Sequence, residues 1–450
     1  MAWQELSMVC CMLSMNNNLE INGQFQDAYE AMERGSKHIF LTGKAGTGKS
    51  TLLRYFRERT RRATAVVAPT GVAAVNIDGQ TIHSFFKLRP GASVEEARHD
   101  GRAARKDQLF KKLETIVIDE VSMVRADLMD CIDAFLQAAL KSKARFGGKR
   151  LVMIGDLHQL PPIVRGEEAA DLREKYKTPF FFSSEAIRDC LQLGMLEYIE
   201  LDKIYRQTDE RFIEILNAVR GGKISERQLA ELNMQYDPAF SDDAGKHMHL
   251  MAVNAQAEEH NETNLERLGG KTAIAEGKIK GEFKESELPT ELALRLKKGA
   301  RVMLVNNDSQ GRWVNGTLAT VLEVRDESVD VKLDNGDVHE ILPYTWNKAK
   351  TKFNADSGEL SRETLGSFTQ FPLRLAWATT IHKSQGKTFD RVVIDLGRGA
   401  FAAGQSYVAL SRCRTLDGIT LKRPIRRSDL IMDARILDFS KEVGEKRGMV

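Results

Sequence analysis

The feature that most constrains the fold is the segment G-K-A-G-T-G-K-S at residues 43–50. It matches the pattern G-x-x-x-x-G-K-[ST], in which glycines let backbone N–H groups curl around phosphate oxygens. An apolar run at 38–42 precedes the loop, and a helix-like stretch at 51–59 follows it with its positive end toward the loop. This strand–loop–helix unit predicts a parallel-sheet α/β domain that binds a nucleoside triphosphate.

The residues of this loop have separate expected contacts. Lys49 is expected to reach the β- and γ-phosphates of ATP, and Ser50 is expected to hold Mg²⁺. The other expected nucleotide contacts lie in the loop and the first helical turn, at Gly43, Ala45, Gly46, Thr47, Gly48 and Thr51. The sequence therefore predicts ATP and Mg²⁺ as cofactors.

Two further apolar runs end in polar residues that suit a site for ATP hydrolysis. The first ends on Asp119, which is expected to position the metal, and the next residue, Glu120, is placed to polarise an attacking water as general base. Gln159 follows the second run, at 150–154, and is a candidate sensor of the γ-phosphate. The alternative for the acidic pair is a cap on the following helix.

The pattern along the chain predicts two α/β domains, because 450 residues exceed what one core normally fills. Residues 88–113 are polar and charged and are expected to be a small insertion rather than core. Short strands between 298 and 370, with a hairpin signal at 334–336, predict an inserted antiparallel barrel. The predicted organisation is an N-terminal extension at 1–18, a first domain at 19–190 and a second at 191–450.

Composition excludes some classes of protein without selecting a function. The net charge is only +3, and basic clusters at 98–112 and 141–150 fit either phosphate contacts or a solvated face. The five cysteines are odd in number and scattered, which favours a reducing cytosol over a disulfide framework. The apolar segment 6–15 is too short for a membrane span and lacks the basic flank of a signal peptide. We therefore expect a cytoplasmic protein with no membrane partner.

Seven short segments follow one another in a specific order. They are A-P-T-G-V-A-A at 68–74, T-I-H-S-F at 81–85, D-E-V-S-M at 119–123, G-D-x-x-Q-L-P-P at 155–162, Y-R-Q at 205–207, T-I-H-K-S-Q-G at 380–386 and Y-V-A-L-S-R at 407–412. Together with the phosphate loop, this order resembles the Pif (petite integration frequency) helicase family, relatives of RecD in superfamily one. The resemblance covers residues 19–421, nearly the whole chain.

The resemblance implies a fold and an activity. The fold would be two RecA-like domains, with a wedge inserted at about 88–113 and a Src-homology-three-like β-barrel inserted at about 298–370. The activity would be that of an ATP-dependent DNA helicase moving 5′ to 3′ on single-stranded DNA and unwinding duplex or structured DNA such as G-quadruplexes. The implied partners are single-stranded DNA and its junctions with duplex, the implied tasks are replication, recombination and repair, and the motor is expected to be monomeric.

The resemblance also implies roles for particular residues. Arg206 and Arg412 would be arginine fingers that reach from the second domain to the γ-phosphate, where a fixed guanidinium neutralises developing charge. Gly386 would contact the nucleotide. Gln26 would read the adenine, with Gln24 as the alternative.

Contacts to DNA are implied in both domains. Thr70, His83, His382 and Lys383 would bind the strand's backbone, as a translocase that does not read sequence requires. Phe85 would stack on a base, although adjacent phenylalanines in an α/β domain are equally expected in the core. A rival hypothesis is a RecA-like ATPase, stimulated by DNA, that remodels or switches a partner without unwinding.

Overall fold

The computed structural model describes residues 22–77, 79–164, 168–207, 209–242, 245–283, 285–353 and 360–447. The helices are α1 Gly23–Arg34, α2 Lys49–Arg59, α3 Gly71–Asn76, α4 Ile82–Phe86, α5 Val94–Ala103, α6 Gln108–Lys112, α7 Ala126–Leu140, α8 Glu168–Lys175, α9 Glu185–Gln192, α10 Glu210–Arg220, α11 Glu226–Asn233, α12 Asn254–Arg267, α13 Gln405–Leu410 and α14 Ala434–Arg447. None of the helices in these ranges is long and apolar enough to cross a membrane. The N-terminal extension predicted at 1–18 lies outside the described residues.

The strands alternate with these helices and fall into several sheets. They are β1 His38–Gly43, β2 Thr64–Ala68, β3 Gln80–Thr81, β4 Thr115–Ile118, β5 Arg150–Ile154, β6 Leu196–Leu201, β7 Met248–Met251, β8 Ala273–Glu276, β9 Lys278–Gly281, β10 Ala293–Leu296, β11 Arg301–Leu304, β12 Leu318–Val324, β13 Val329–Leu333, β14 Val338–Ile341, β15 Tyr344–Phe353, β16 Leu360–Gln370, β17 Leu373–Leu375, β18 Ala378–Thr380, β19 Val392–Asp395 and β20 Ile419–Leu421.

The first domain is built on a parallel six-stranded sheet in the order β3-β2-β4-β5-β1-β6. The strands predicted from the apolar runs at 38–42, before Asp119 and at 150–154 are present as β1, β4 and β5. Strands β1, β4 and β5 are buried along their whole length, as expected for strands covered by helices on both faces. The α/β prediction for this half of the chain is confirmed.

The predicted boundary at residue 190 lies too early. Strand β6 pairs with β1 in register from His38–Leu196 to Gly43–Leu201, so the first sheet continues to residue 201. The sequence of β6, L-E-Y-I-E-L, places charged side chains among apolar ones because the strand lies at the edge of the sheet. This pattern lacks the continuous apolar run by which the other strands were recognised.

The segment at 88–113 also differs from the expectation of an insertion outside the core. Helix α5 packs along α7, and Leu88, Ala97 and Phe110 are buried in the same apolar cluster as the first sheet. The many polar residues of the segment lie on its outer side, whereas its few apolar side chains point inward. The segment is thus part of the first core, and its role as a wedge stays a prediction.

The second domain has a parallel sheet in the order β18-β7-β19-β20. Its apolar core, around Leu250, Ile394 and Val408, also includes Ala45 and Leu160 from the first domain. Ala45 belongs to the phosphate loop. The two domains therefore meet at this loop, whose Ala45 side chain is buried in the core of the second domain.

The inserted segment forms a five-stranded antiparallel sheet in the order β14-β13-β12-β11-β17, with its own core around Trp313 and Val331. The hairpin predicted at 334–336 joins β13 to β14, with Gly336 at φ 99°. A longer hairpin, β15–β16, pairs with β9 in a separate three-stranded sheet. Antiparallel strands are thus present where a barrel was predicted, while a Src-homology-three-like form stays a prediction.

The β15–β16 hairpin leans on the first domain. The Thr351 N–H donates to Gln80 Oε1 at 2.9 Å, and the Lys112 ammonium lies 5.5 Å from the centre of the Phe353 ring. Nearby, Glu287 lies between β9 and β10, and its carboxylate pairs with the Lys348 ammonium at 2.7 Å. The Glu287 side chain also lies against Gly71 of the first domain. The inserted unit therefore touches the first domain directly beside Thr70, a predicted DNA contact.

The C-terminal helix α14 returns from the second domain to the first. Its buried residues Ile436, Phe439 and Val443 join the first core, and the Phe439 ring stacks on Phe182 with 4.2 Å between centroids. Arg188 of α9 pairs with Glu442 at 2.6 Å. The chain thus crosses between the domains twice, once after β6 and once before α14.

We expect Phe439→Ala to lower the free energy of unfolding of the first domain by about 3 kcal/mol, because it removes a buried ring and leaves a cavity. Chemical denaturation followed by circular dichroism measures this change. The control is Lys441→Ala on the exposed face of the same helix, which should change stability by less than about 0.5 kcal/mol. Equal stability of the two variants would contradict the packing of α14 on the first domain.

Candidate active site between the two domains

The phosphate loop leaves β1 and enters α2 through glycines that no other residue could replace without strain. Gly46 has φ 83°, and a Cβ at this position would lie 2.5 Å from Cβ of Arg206. The loop backbone can therefore approach both a ligand and the second domain closely. Lys49, in the first turn of α2, donates from Nζ to the carbonyl oxygens of Gly43 at 2.6 Å and Lys44 at 2.9 Å. Burial lowers the pKa of this ammonium.

The predicted carboxylates follow β4 at the same end of the sheet. Asp119 is 8% exposed, and Glu120 adopts a left-handed backbone conformation with φ 51°, which is uncommon for a residue with a side chain. Burial raises the pKa of Asp119, and burial together with the charge of Asp119 raises that of Glu120. The protein thus holds two desolvated carboxyl groups beside the phosphate loop, as a metal-and-base pair requires.

Gln159 follows β5 and is linked to the Glu120 carboxylate by a third residue, Gln385. The sequence predicted no role for Gln385. Gln385, in the second domain, donates from Nε2 to Glu120 Oε2 and to Gln159 Oε1, both at 3.0 Å. Gln159 in turn donates to Asp156 Oδ2 at 3.4 Å. The motif T-I-H-K-S-Q-G contains Gln385, but sequence alone does not show that its amide reaches the other domain.

The two predicted arginine fingers enter the same region from the second domain. Arg206 donates to the carbonyl oxygens of Ser411 at 3.2 Å and Gly386 at 3.3 Å, and burial lowers its pKa to about 10. Arg412 is only 1% exposed and donates from Nε to the Val408 carbonyl at 2.8 Å. Burial, with Arg206 nearby, lowers the pKa of Arg412 as well. Both guanidinium groups are thus held by main-chain carbonyls of the second domain.

These groups line one interdomain cleft of about 530 Å³. The first domain contributes Phe25, Gly155 and the predicted residues Ala45, Gly46, Thr47, Gly48, Lys49, Ser50, Thr51, Asp119, Glu120 and Gln159. The linker and second domain contribute Tyr205, Arg206, Gly386, Thr388, Arg412 and Arg414. All six predicted catalytic residues therefore meet around a single cavity, although they are spread over more than 360 residues of sequence.

The oxygen donors of the cleft suit Mg²⁺ bound together with a nucleotide. Ser50 and Asp119 both line the cavity, and the described ranges contain no cluster of three or more His, Cys, Asp or Glu side chains that could hold a metal by themselves. Mg²⁺ is normally held by one or two protein oxygens, with phosphates and water completing its coordination. The residues present fit that mode of binding.

The glutamines predicted to read adenine do not line this cavity. Gln26 donates to Glu30 along α1, and Gln24 binds the Glu200 carbonyl and the Asp202 main-chain N–H. Phe25, which lies between them in sequence, does line the cavity. Recognition of adenine by Gln26 stays a prediction, and this arrangement gives it no direct support.

The predicted DNA contacts lie in both domains, apart from the nucleotide cavity. The Thr70 side chain caps α3 and His83 lies in α4, while His382 and Lys383 follow β18 in the second domain. The expectation for Phe85 needs correction. Its ring is 4% exposed and packs edge-on against Phe86 and Phe110, so it belongs to the core and is not available to stack on a base.

The fold and the cleft define a class of protein: a phosphate-loop NTPase whose site is formed by two parallel-sheet domains. The model of the PIF1-like helicase family matches residues 18–230. ATP-dependent DNA helicase Pif1 of Bdellovibrio bacteriovorus is 33% identical over 441 residues, which cover 95% of this chain and 93% of that protein. ATP-dependent DNA helicase PIF1 of Homo sapiens is 36% identical over 392 residues, 85% of this chain and 57% of the human protein. The chain belongs to the PIF1-like helicase family.

Solved structures agree with this membership. Pif1 from Bacteroides sp in complex with ADP-AlF4 has a TM-score of 0.85 and 35% identity, covering 95% of this chain and 98% of that one. Bacteroides Pif1 in complex with ADP-AlF3 and single-stranded DNA has a TM-score of 0.67 at the same identity and coverage. Because identity and coverage do not change, the lower score reflects a different arrangement of the parts. Unliganded Pif1 from Bacteroides sp has a TM-score of 0.83 at 36% identity, so the present arrangement is similar to both structures without DNA and less similar to the complex with single-stranded DNA.

We expect Arg412→Ala to retain nucleotide binding within a few-fold but to lower the ATP turnover number roughly a thousandfold, since a finger acts mainly in the transition state. Phosphate release and binding of a fluorescent nucleotide measure the two quantities. Arg227→Ala, an exposed arginine of the same domain, is the matched control with unchanged turnover, and Lys49→Ala marks complete loss of hydrolysis. Normal turnover in folded Arg412→Ala would refute the finger assignment.

Proposed function

We propose that this ATP-dependent DNA helicase moves 5′ to 3′ along single-stranded DNA and separates duplex ahead of it. The observation that carries the proposal is the composite cleft, in which Lys49, Asp119 and Glu120 of one domain face Arg206 and Arg412 of the other. A site divided in this way links hydrolysis to the relative position of the two domains. Repeated opening and closing would advance the domains along a bound strand.

The chemistry follows from the groups in the cleft. Loop N–H groups and Lys49 would hold the phosphates, while Ser50 and Asp119 would bind Mg²⁺, which neutralises charge on the transferred phosphoryl group. Glu120 would accept a proton from the attacking water, and Gln159 would respond to the presence of the γ-phosphate. The arginines would complete the site only when the second domain is close.

The DNA path is proposed to run over Thr70 and His83 of the first domain and His382 and Lys383 of the second. Two sites of grip on separate domains are what a translocase needs, because one must hold the strand while the other moves. The contact of Glu287 with Gly71 bears on this path, since it covers the surface next to Thr70 in the present arrangement. DNA binding along this path would require the inserted unit to shift.

The remaining features of the proposal concern the partners and the setting of the motor. Both halves of the cleft come from a single chain, which supports a monomer as the working unit. Among the described residues Cys131, Cys190 and Cys413 are free thiols, which agrees with the proposed reducing cytosol. Replication, recombination or repair would provide the strands and junctions on which the motor acts.

The rival hypothesis, an ATPase that switches a partner without unwinding DNA, shares the nucleotide site. It does not account for the position of His382 and Lys383. These two residues closely precede Gln385 in the same loop, and Gln385 contacts Glu120. A loop with candidate strand contacts at one end and a catalytic contact at the other favours a motor driven by DNA.

We expect a duplex with a 5′ single-stranded tail to be unwound in the presence of ATP and Mg²⁺, while the same duplex with a 3′ tail stays intact. Release of a fluorescently labelled strand from its quencher measures unwinding, and omission of ATP is the control. Unwinding only from the 3′ tail would reverse the proposed polarity. Absence of unwinding from either tail would reduce the proposal to a translocase or a switch.

A further inference from the structure

Gln385 occupies a position between the two domains that none of the predicted roles explains. It lies between β18 and β19 of the second domain, yet its side-chain nitrogen donates to Glu120 Oε2 and Gln159 Oε1 of the first, both at 3.0 Å. A primary amide nitrogen carries two hydrogens, so both bonds can form at once. One side chain thereby joins the candidate base and the candidate phosphate sensor.

The hydrogen bonds around Gln385 are consistent in direction. Because Gln159 donates its own amide hydrogen to Asp156, its oxygen is free to accept from Gln385. Asp156 is paired with Arg220 of the second domain at 3.3 Å. The bonds form a continuous series from Arg220 through Asp156, Gln159 and Gln385 to Glu120, and each of these bonds joins a donor to an acceptor.

The backbone at Glu120 adds a second observation. Its left-handed conformation, with φ 51°, is costly for a residue other than glycine. Strain of this kind persists where the surrounding structure fixes the direction of a side chain. Gln385 supplies a hydrogen bond to this carboxylate, and bonds to charged acceptors are the stronger ones.

We propose that Gln385 is a positioning residue for ATP hydrolysis, which orients the Glu120 carboxylate toward the attacking water and keeps Gln159 beside it. Because Gln385 belongs to the second domain, this alignment exists only while the cleft is closed. The proposal rests on the proposed function, in which Glu120 is the base and Gln159 the sensor. It assigns the second domain a part in aligning the base, in addition to supplying the arginines.

The first test is Gln385→Met, which keeps the length of the side chain but removes both hydrogen bonds. We expect the turnover number to fall about tenfold or more, since misplaced catalytic groups cost one to two orders of magnitude. KM for ATP and the affinity for ADP should change less than about twofold, whereas ADP–aluminium fluoride should bind markedly more weakly. Phosphate release at saturating single-stranded DNA and nucleotide titrations measure these quantities. Equal weakening of ADP and ADP–aluminium fluoride would indicate a merely structural role and overturn the proposal.

A double-mutant cycle tests whether Gln385 acts through Glu120. In a Glu120→Gln background, followed by single-turnover hydrolysis, we expect Gln385→Met to cause no further loss. The matched control is Gln207→Met, because Gln207 is a buried glutamine beside the cleft residue Arg206 that donates to the Ser411 and Cys413 carbonyls instead. Its effect should multiply with that of Glu120→Gln. Full multiplication for Gln385→Met would overturn the proposal.

Gln385→Glu provides a second variant of the same shape, in which a carboxylate replaces the donor and faces Glu120. We expect its turnover to be at least as low as that of Gln385→Met, and wild-type turnover in either folded variant would overturn the proposal. The single variant Glu120→Gln distinguishes a failure of the Gln385 role from a failure of the base assignment. If it is inactive while the Gln385 variants are normal, only the role of Gln385 is wrong. If it retains wild-type turnover, the base assignment fails and the role of Gln385 fails with it.

Discussion

The contact between the phosphate loop and the second domain is the interaction on which the rest of the site depends. The Tyr407 hydroxyl accepts from the Ala45 N–H at 3.0 Å, and the Tyr205 N–H donates to the Gly46 carbonyl at 2.9 Å. These bonds hold the loop of one domain against the linker and a helix of the other. Since the loop would carry the nucleotide, any movement of the second domain changes the surroundings of the phosphates directly.

A buried ion pair supports the same junction behind the loop. Arg220 of α10 lies 3.3 Å from Asp156 and 3.6 Å from Glu200, both in the first domain. Burial alone would raise the pKa of Asp156, but the charges of Arg220 and Lys49 hold it below its ordinary value. The carboxylate therefore stays ionised next to Gln159. Removing one partner of this pair would leave a buried charge uncompensated, which is strongly destabilising.

The parts of the structure that were predictable from sequence are those specified by short, local patterns. The strands β1, β2, β4 and β5 are continuous apolar runs. Asp119 and Glu120 follow β4 directly, and Lys49 follows β1 through the phosphate loop, so their meeting at one sheet edge follows from the parallel topology. The arginines were reached only through resemblance to a family. Nothing local to Arg412 distinguishes it from a residue of a surface salt bridge.

The parts that were missed depend on contacts between distant segments. Strand β6 resembles an exposed segment because it is an edge strand, and α14 packs on a core more than 200 residues away in sequence. Phe85 could be placed in the core only once its neighbour Phe110 was known to pack beside it. Gln385 carries no pattern at all that predicts a bond to Glu120, since its role depends on how two domains close.

In the proposed motor, a bound strand and the nucleotide act on the same interdomain cleft. The most direct test is the steady-state rate of ATP hydrolysis measured with increasing concentrations of single-stranded DNA at fixed Mg²⁺ and ATP. We expect a saturable rise in the turnover number of about tenfold or more, because strand binding across both domains favours closure of the cleft. A turnover number that does not change at any concentration of single-stranded DNA would contradict it.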